Sequence, residues 1–284
     1  MRYAKPKSID EALALLADGR WRMLAGGTDF YPAQGSRPLR DDVLDLNGLD
    51  ELRHISQTPA HFIFGARASW ADVTRAELPP AFDALKLAAR EVGSVQIQNV
   101  GTVAGNLCNA SPAADGVPPL LALDAEVELR SLAGSRLVPL GEFILGNRRI
   151  ALQPGELVTA IRVPRASAIG RSGFVKLGAR RYLVISIAMA AARVTMDAGG
   201  RIDEIALAVG ACSPVAVRLR PLEQRLVGAS PGEIGDIVQD YDFAELSPID
   251  DVRATAGYRR DAAREIVFRS IATVIGPAAE RAAA

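Results

Sequence analysis

The segment from Asn99 to Asp115, Asn-Val-Gly-Thr-Val-Ala-Gly-Asn-Leu-Cys-Asn-Ala-Ser-Pro-Ala-Ala-Asp, constrains the fold more than any other. It is rich in Gly, Asn, Ser and Thr, and it lies between two stretches of helical periodicity rather than at a domain edge. A connection of that length is costly to order unless something fills it. Gly101 and Gly105 are spaced G-x-x-x-G, so the strand-to-helix G-x-G-x-x-G of dinucleotide-binding folds is absent. The amides and hydroxyls of this segment can wrap a pyrophosphate, and Asp115 can accept from ribose or ribityl hydroxyls. A plain glycine-rich connection, with Asp115 capping the next helix, accounts for the same residues. The local pattern leaves both readings open.

A second candidate is Leu24-Ala25-Gly26-Gly27-Thr28-Asp29-Phe30. A strand delivers two glycines and then a hydroxyl at the expected start of a short helix. Glycines let a backbone approach a ligand closely, and free N–H groups at a helix start suit phosphate oxygens. A tight strand–helix turn capped by Thr28 or Asp29 uses the same residues. A third segment, Gly173 to Tyr182, places Lys176 among apolar residues on a strand and follows it with Arg180-Arg181. A solvated strand lysine is the ordinary explanation; a cation stabilising a reduced flavin is the functional one.

Charge and rare residues narrow the chemistry. The 284 residues carry 33 basic and 33 acidic side chains, a net charge of zero, which removes the electrostatic footprint of a nucleic-acid binder. Cys108 and Cys212 stand apart with no Cys-x-x-Cys, so neither a zinc ribbon, an iron–sulfur cluster nor a disulfide framework can be written from them. We expect both to be small core residues. With His54 and His61 the only histidines, a His-ligated metal or a Ser–His–Asp triad is disfavoured, and the chemistry is expected to be a cofactor's. The most apolar stretch, Leu183 to Ala192, is half of the ~20 residues a membrane span needs. Free cysteines and an N-terminus without an apolar leader point to the cytoplasm.

The pattern along the chain predicts an α+β protein. Ser8-Ile9-Asp10-Glu11 is a capping box opening a helix that Gly19 can end in the left-handed region. Strands are expected at Trp21–Ala25, Val43–Leu46, His61–Phe64, Ala125–Arg130 and Leu157–Val163. Helices are expected from Ser69 to Glu77, Phe82 to Val92 and Pro119 to Leu123. Pro164 to Ser172 is polar and turn-rich, the natural domain boundary. Beyond it, Ile187–Met196 and Ile202–Val209 form a hairpin about Asp197-Ala198-Gly199-Gly200, and helices follow near Ala216–Val227, Pro231–Tyr241 and Asp251–Ile275. The Ala-rich end, 277–284, is expected to fray.

In this order, the segments resemble the FAD-binding medium subunit of the molybdenum hydroxylases, the xanthine dehydrogenase, aldehyde oxidase and carbon monoxide dehydrogenase family. Leu24 to Asp29 resembles its first flavin loop. Thr102-Val103-Ala104-Gly105-Asn106 resembles T-I-G-G-N with Ala104 in place of a glycine, and Asn109-Ala110-Ser111-Pro112 through Asp115 resembles N-A-S-P-x-x-D. Phe174-Val175-Lys176 with Arg180-Arg181, and Ser247 through Arg260, are similar to its C-terminal signatures.

The resemblance implies a two-lobed FAD-binding domain of the PCMH type (residues 1–166, lobes about 1–52 and 53–166), then a smaller α+β domain (167–284). It implies that Leu24 to Phe30 and Thr102 to Asn106, with Gly101 beside them, hold the pyrophosphate, and that Asp115, near Ser111, holds sugar-side hydroxyls. Val92, Val158 and Lys176 would lie near the flavin and its tail. Ser186 stands where many members have Asp. No residue is assigned a catalytic role and none a metal. The implied function is electron transfer through FAD, from the iron–sulfur clusters of a small subunit beside a molybdopterin-containing large subunit, in a dimer of heterotrimers, to an external acceptor. A flavin-free scaffold subunit and a stand-alone flavin oxidoreductase are the alternatives.

Overall fold

The computed structural model describes residues 1–276, so the frayed end expected at 277–284 lies outside the described residues. The first lobe comprises β1 (Tyr3–Ala4), α1 (Ile9–Asp18), β2 (Arg22–Leu24), α2 (Phe30–Gln34) and β3 (Val43–Asp45), with the parallel strand order β1-β3-β2. Ser8 caps α1 by accepting from Glu11 N–H, while the Glu11 carboxylate accepts from Lys7 N–H instead of completing the expected box on Ser8. Gly19 ends the helix in extended backbone (φ 178) rather than in the left-handed region expected of it. Among its neighbours is the Arg2 side chain, so an extended chain leads straight into Trp21 and β2.

The second lobe contains β4 (Ile55–Gln57), β5 (His61–Gly65), α3 (Trp70–Arg75), α4 (Asp83–Glu91), α5 (Val95–Val100), α6 (Val103–Asn109) and α7 (Val117–Ala122). It continues through β6 (Glu126–Ser131), β7 (Gly134–Pro139), α8 (Leu140–Phe143), β8 (Ile144–Gly146), β9 (Arg149–Ile150) and β10 (Leu157–Pro164). Its main sheet is antiparallel, in the order β4-β5-β10-β6-β7. One apolar core runs through both lobes: Leu13, Leu16 and Leu44 join Phe64, Phe82 and Leu85 in it. The Asn99–Asp115 segment, expected as a loop, instead contains α6 and the last two residues of α5, while 110–115 is non-helical as expected. Neither helix shows amphipathic periodicity because each has under two turns, and their ends are held by distant backbone. Trp70 N–H donates to the Gly101 carbonyl (3.1 Å) and Val103 N–H to that of Ala68 (3.0 Å).

The C-terminal domain is a four-stranded antiparallel sheet of β11 (Arg171–Leu177), β12 (Ala188–Met196), β13 (Ile202–Gly210) and β14 (Val217–Arg218). It is followed by α9 (Arg220–Leu226), α10 (Ile234–Gln239) and α11 (Ala256–Ile275), the last starting later than expected because Thr255 caps it. α11 packs on β11 and β12, and Ile266, Val267 and Ile271 fill a core with Leu207 and Val209. On the other side of the sheet Ala84 and Ala88 of α4 and Ala122 of α7 meet Phe174, Met189, Ala191 and Ala206. Small side chains on those helices permit close approach. Covered from both sides, β12 is buried from Ala188 to Val194, which explains its apolar sequence without a membrane. No helix among the described residues is long and apolar enough to cross one.

Candidate functional site: a cavity between two loops

The turn after β2 and the turn before α6 touch. A Cβ on Gly26 would lie 1.9 Å from the Val100 carbonyl oxygen and 3.0 Å from Gly101 Cα, so only glycine lets these backbones meet. Gly27 has φ +75, and a side chain there would also strike the Tyr31 ring. The first loop is fixed from behind by Asn47, whose Nδ2 donates to the Ala25 carbonyl (2.9 Å), and by Arg22, which donates to the Phe30 carbonyl (3.2 Å) and stacks over its ring. The second is fixed by Thr102, the cap of α6, whose Oγ1 accepts from Gly105 N–H (2.9 Å).

Between the loops lies a cavity of about 500 Å³, within the usual range for ligand sites. Thirteen of the eighteen sequence-derived candidates line it: Ala25, Gly26, Gly27, Thr28, Asp29, Phe30, Val92, Gly101, Thr102, Ala104, Gly105, Asn106 and Val158. Leu24 and Val103 point into the apolar core, the Ser111 hydroxyl accepts from Ala113 N–H, and Asp115 and Lys176 pair with each other away from the lining. Sequence reasoning missed an apolar wall of Trp70, Ile97, Ile150, Leu152 and Leu157, and also Cys108 and Asn109. Trp70 follows a capping serine and reads simply as core, so only the fold reveals its second contact. Burial pushes the Cys108 thiol up to about 12, which keeps it neutral.

Polar groups in the cavity fit a nucleotide-like cofactor. Asn106 Oδ1 is buried with no protein partner, and a buried acceptor left alone costs about 1–3 kcal/mol. A sugar or ribityl hydroxyl would satisfy it. The glycines open backbone to the cavity where a pyrophosphate can lie, while the apolar wall offers a surface for a flat ring. Ala104 is buried at the lining, so its methyl is accommodated within the same cradle.

Asp115 and Lys176 occupy the junction of the two domains. Lys176 Nζ lies 2.7 Å from Asp115 Oδ2, and Ser186 Oγ donates to Asp115 Oδ1 (2.6 Å). The Lys176 side chain is thus buried, contrary to the solvated strand lysine that alternation suggests, because α4, whose Glu91 carbonyl also accepts from Nζ (3.4 Å), and the turn before α7 cover that face of β11. Burial is the largest influence on Asp115 and pushes its carboxyl up, with Lys176 and Ser186 pulling it back. Ser186, where an acid was noted as usual, supplies the donor this carboxylate needs. Among the described residues no group of three or more His, Cys, Asp or Glu converges on a metal position.

Comparison with known proteins follows this geometry. Residues 1–166 match the model described as the FAD binding domain in molybdopterin dehydrogenase, and residues 174–274 match the CO dehydrogenase flavoprotein C-terminal domain. The chain is 30% identical over 278 residues to the glyceraldehyde dehydrogenase medium chain of Sulfolobus acidocaldarius, covering 96% of this chain and 97% of that one. It is 34% identical over 235 residues to the nicotinate dehydrogenase FAD-subunit of Eubacterium barkeri, covering 80% and 79%. Among solved structures, a chain of reconstituted CO dehydrogenase from Oligotropha carboxidovorans matches with TM-score 0.87 at 27% identity over 98% of both chains.

Proposed function

The chain belongs to the family of FAD-binding medium subunits of molybdenum hydroxylases, and on that footing we propose that it is the electron-transfer subunit of such a complex. FAD is its cofactor, and it is a subunit of an oxidoreductase. In the proposed role, electrons arrive from the iron–sulfur clusters of a small partner subunit, after substrate oxidation at a molybdopterin-containing large subunit, and leave to an external acceptor. Relatives named as a medium chain and as a complex subunit support a multi-subunit assembly, for which the proposed form is a dimer of heterotrimers. We set the division between the domains after residue 166, in the polar connection between β10 and β11.

The observation that carries the reading is the contact of the two glycine loops around a cavity lined by Asn106, whose buried Oδ1 has no protein partner. FAD accepts and returns electrons singly or in pairs, so the protein need only bind, orient and shield it. Ala25 to Phe30 and Gly101 to Gly105 would hold the pyrophosphate, and Asn106 would accept from a sugar or ribityl hydroxyl. Trp70, Ile150, Leu152 and Leu157, which line the cavity, would exclude water from a cofactor bound there. The buried Lys176–Asp115–Ser186 group lies away from this lining with its charges paired to each other, so its role is at the domain junction rather than against the flavin.

The test is flavin content. The purified chain should show the two-banded visible spectrum of bound flavin, or regain it on incubation with FAD, and should co-purify with large and small subunits encoded beside it. A correctly folded chain with no flavin and no FAD uptake points instead to the scaffold reading.

A further inference from the structure

Asn109 is the last residue of α6, and its side-chain amide is held at both ends. Its Nδ2 donates to Asp29 Oδ1 in the first lobe at 2.7 Å. Its Oδ1 accepts from Arg148 Nη1, which also donates to the Asn109 backbone carbonyl at 3.1 Å. Arg148 has φ 58, in the left-handed region that side-chain-bearing residues rarely adopt, and its backbone N–H donates to the Ala110 carbonyl (2.9 Å). The turn between β8 and β9 thus accepts a strained conformation while setting one guanidinium against the end of α6. Asp29 and Asn109 line the cavity, whereas Arg148 stands behind them.

The order carboxylate, amide, guanidinium has a physical consequence. An amide has one donor end and one acceptor end. Only the acceptor end can face Arg148, so the donor end is forced toward Asp29. Asp29 puts a negative charge on the rim of a cavity that must admit a pyrophosphate. A committed donor takes up part of that charge and ties the Gly26–Phe30 loop to α6.

We propose that Arg148 and Asn109 are positioning residues for cofactor retention. Arg148 sets the Asn109 amide, and Asn109 latches the Asp29 loop of one lobe to α6 of the other around the flavin nucleotide. This rests on the FAD-binding reading above.

The experiment uses the full chain stripped of flavin and titrated with FAD, reading affinity and release rate by flavin fluorescence, with thermal unfolding of the FAD-free form alongside. Arg148→Ala and Asn109→Asp should each weaken FAD binding by roughly tenfold or more, the usual size of a lost charge-assisted hydrogen bond. Asn109→Asp sets two carboxylates face to face. Adding Asp29→Asn to it exchanges donor and acceptor: the new amide at position 29 donates to the new carboxylate at 109, which still accepts from Arg148. This double variant should recover most of the lost affinity. A double variant as weak as Asn109→Asp alone, or an Arg148→Ala chain that holds FAD like the parent, overturns the proposal. The exchange pair decides the matter even where Arg148→Ala fails to fold. A folded parent that takes up no FAD overturns the FAD reading and this proposal together, which separates the two failures.

Discussion

Lys176 Nζ on β11 and Asp115 Oδ2 before α7 meet at 2.7 Å across the domain junction, with side chains only 7% and 8% exposed. Sixty-one residues separate them in sequence, so the contact exists only when the two domains are docked. Removing one partner strands a buried charge, which costs about 3–5 kcal/mol, whereas removing both strands none. Lys176→Met and Asp115→Asn should each destabilise by about that amount, and the double variant by clearly less than their sum. Urea denaturation followed by circular dichroism checks it, and additive losses would show that the pair is not coupled.

Gly26→Ala should separate the two cavity loops, because its methyl carbon would fall 1.9 Å from the Val100 oxygen. Overpacking of this kind costs about 1–3 kcal/mol, and FAD affinity should drop with it. Gly257→Ala is the matched control: it lies in α11 with open space around it. That change should leave FAD binding untouched and raise stability slightly, since alanine favours helix over glycine. Equal FAD loss in both variants would refute the loop-contact account.

Asp251 should make stability fall in acid. Side-chain hydrogen bonds from Arg253 are the main influence holding its carboxyl well below the usual range, with the Arg253 backbone N–H and Arg259 adding to them against the cost of burial. The depressed carboxyl favours folding only when ionised. Its contribution is therefore complete above the unfolded-chain value of about 3.9 and fades as pH falls through the lower folded-state value. Asp251→Asn should lower the unfolding midpoint at neutral pH, and its curve should converge with the parent's in acid. A gap that stays constant with pH would count against this.

Both thiols should be inert in the folded chain. Burial pushes Cys108 up to about 12 and Cys212 to about 11, and Cys212 Sγ donates to the Arg259 carbonyl. An alkylating reagent at mildly alkaline pH should label neither before denaturation and both afterwards, as mass spectrometry would show. Rapid labelling of Cys108 in the native chain would mean that its side of the cavity is open to water.

Much of the fold was legible because local rules act over a few residues. The Ser8 and Ser69 caps, the Asp197–Gly200 hairpin and the strand at His61–Phe64 all depend on neighbours, and all appear. Within Asn99–Asp115, read as one loop, 110–115 is indeed loop. There α6 went unseen, as did α5 just before it, because they have seven and six residues, too few for a periodic signature. Their ends are anchored by Ala68 and Trp70, some thirty residues earlier. The solvated alternative for Lys176 fails for a related reason: alternation shows which face of a strand a residue takes, but not what covers that face.

The sequence alone determined the order of the glycine loops and the family they mark, because the identity and spacing of residues such as Gly26, Gly27, Gly101 and Gly105 are properties of the chain itself. Tertiary structure alone decided which groups meet. It buried Lys176 against Asp115, turned Trp70 and Cys108 toward the cavity, and joined Asp29 to Asn109 and Arg148. Hydrogen bonds and burial of this kind depend on the distance between surfaces far apart along the chain, and the packing of the two lobes and the C-terminal sheet sets that distance.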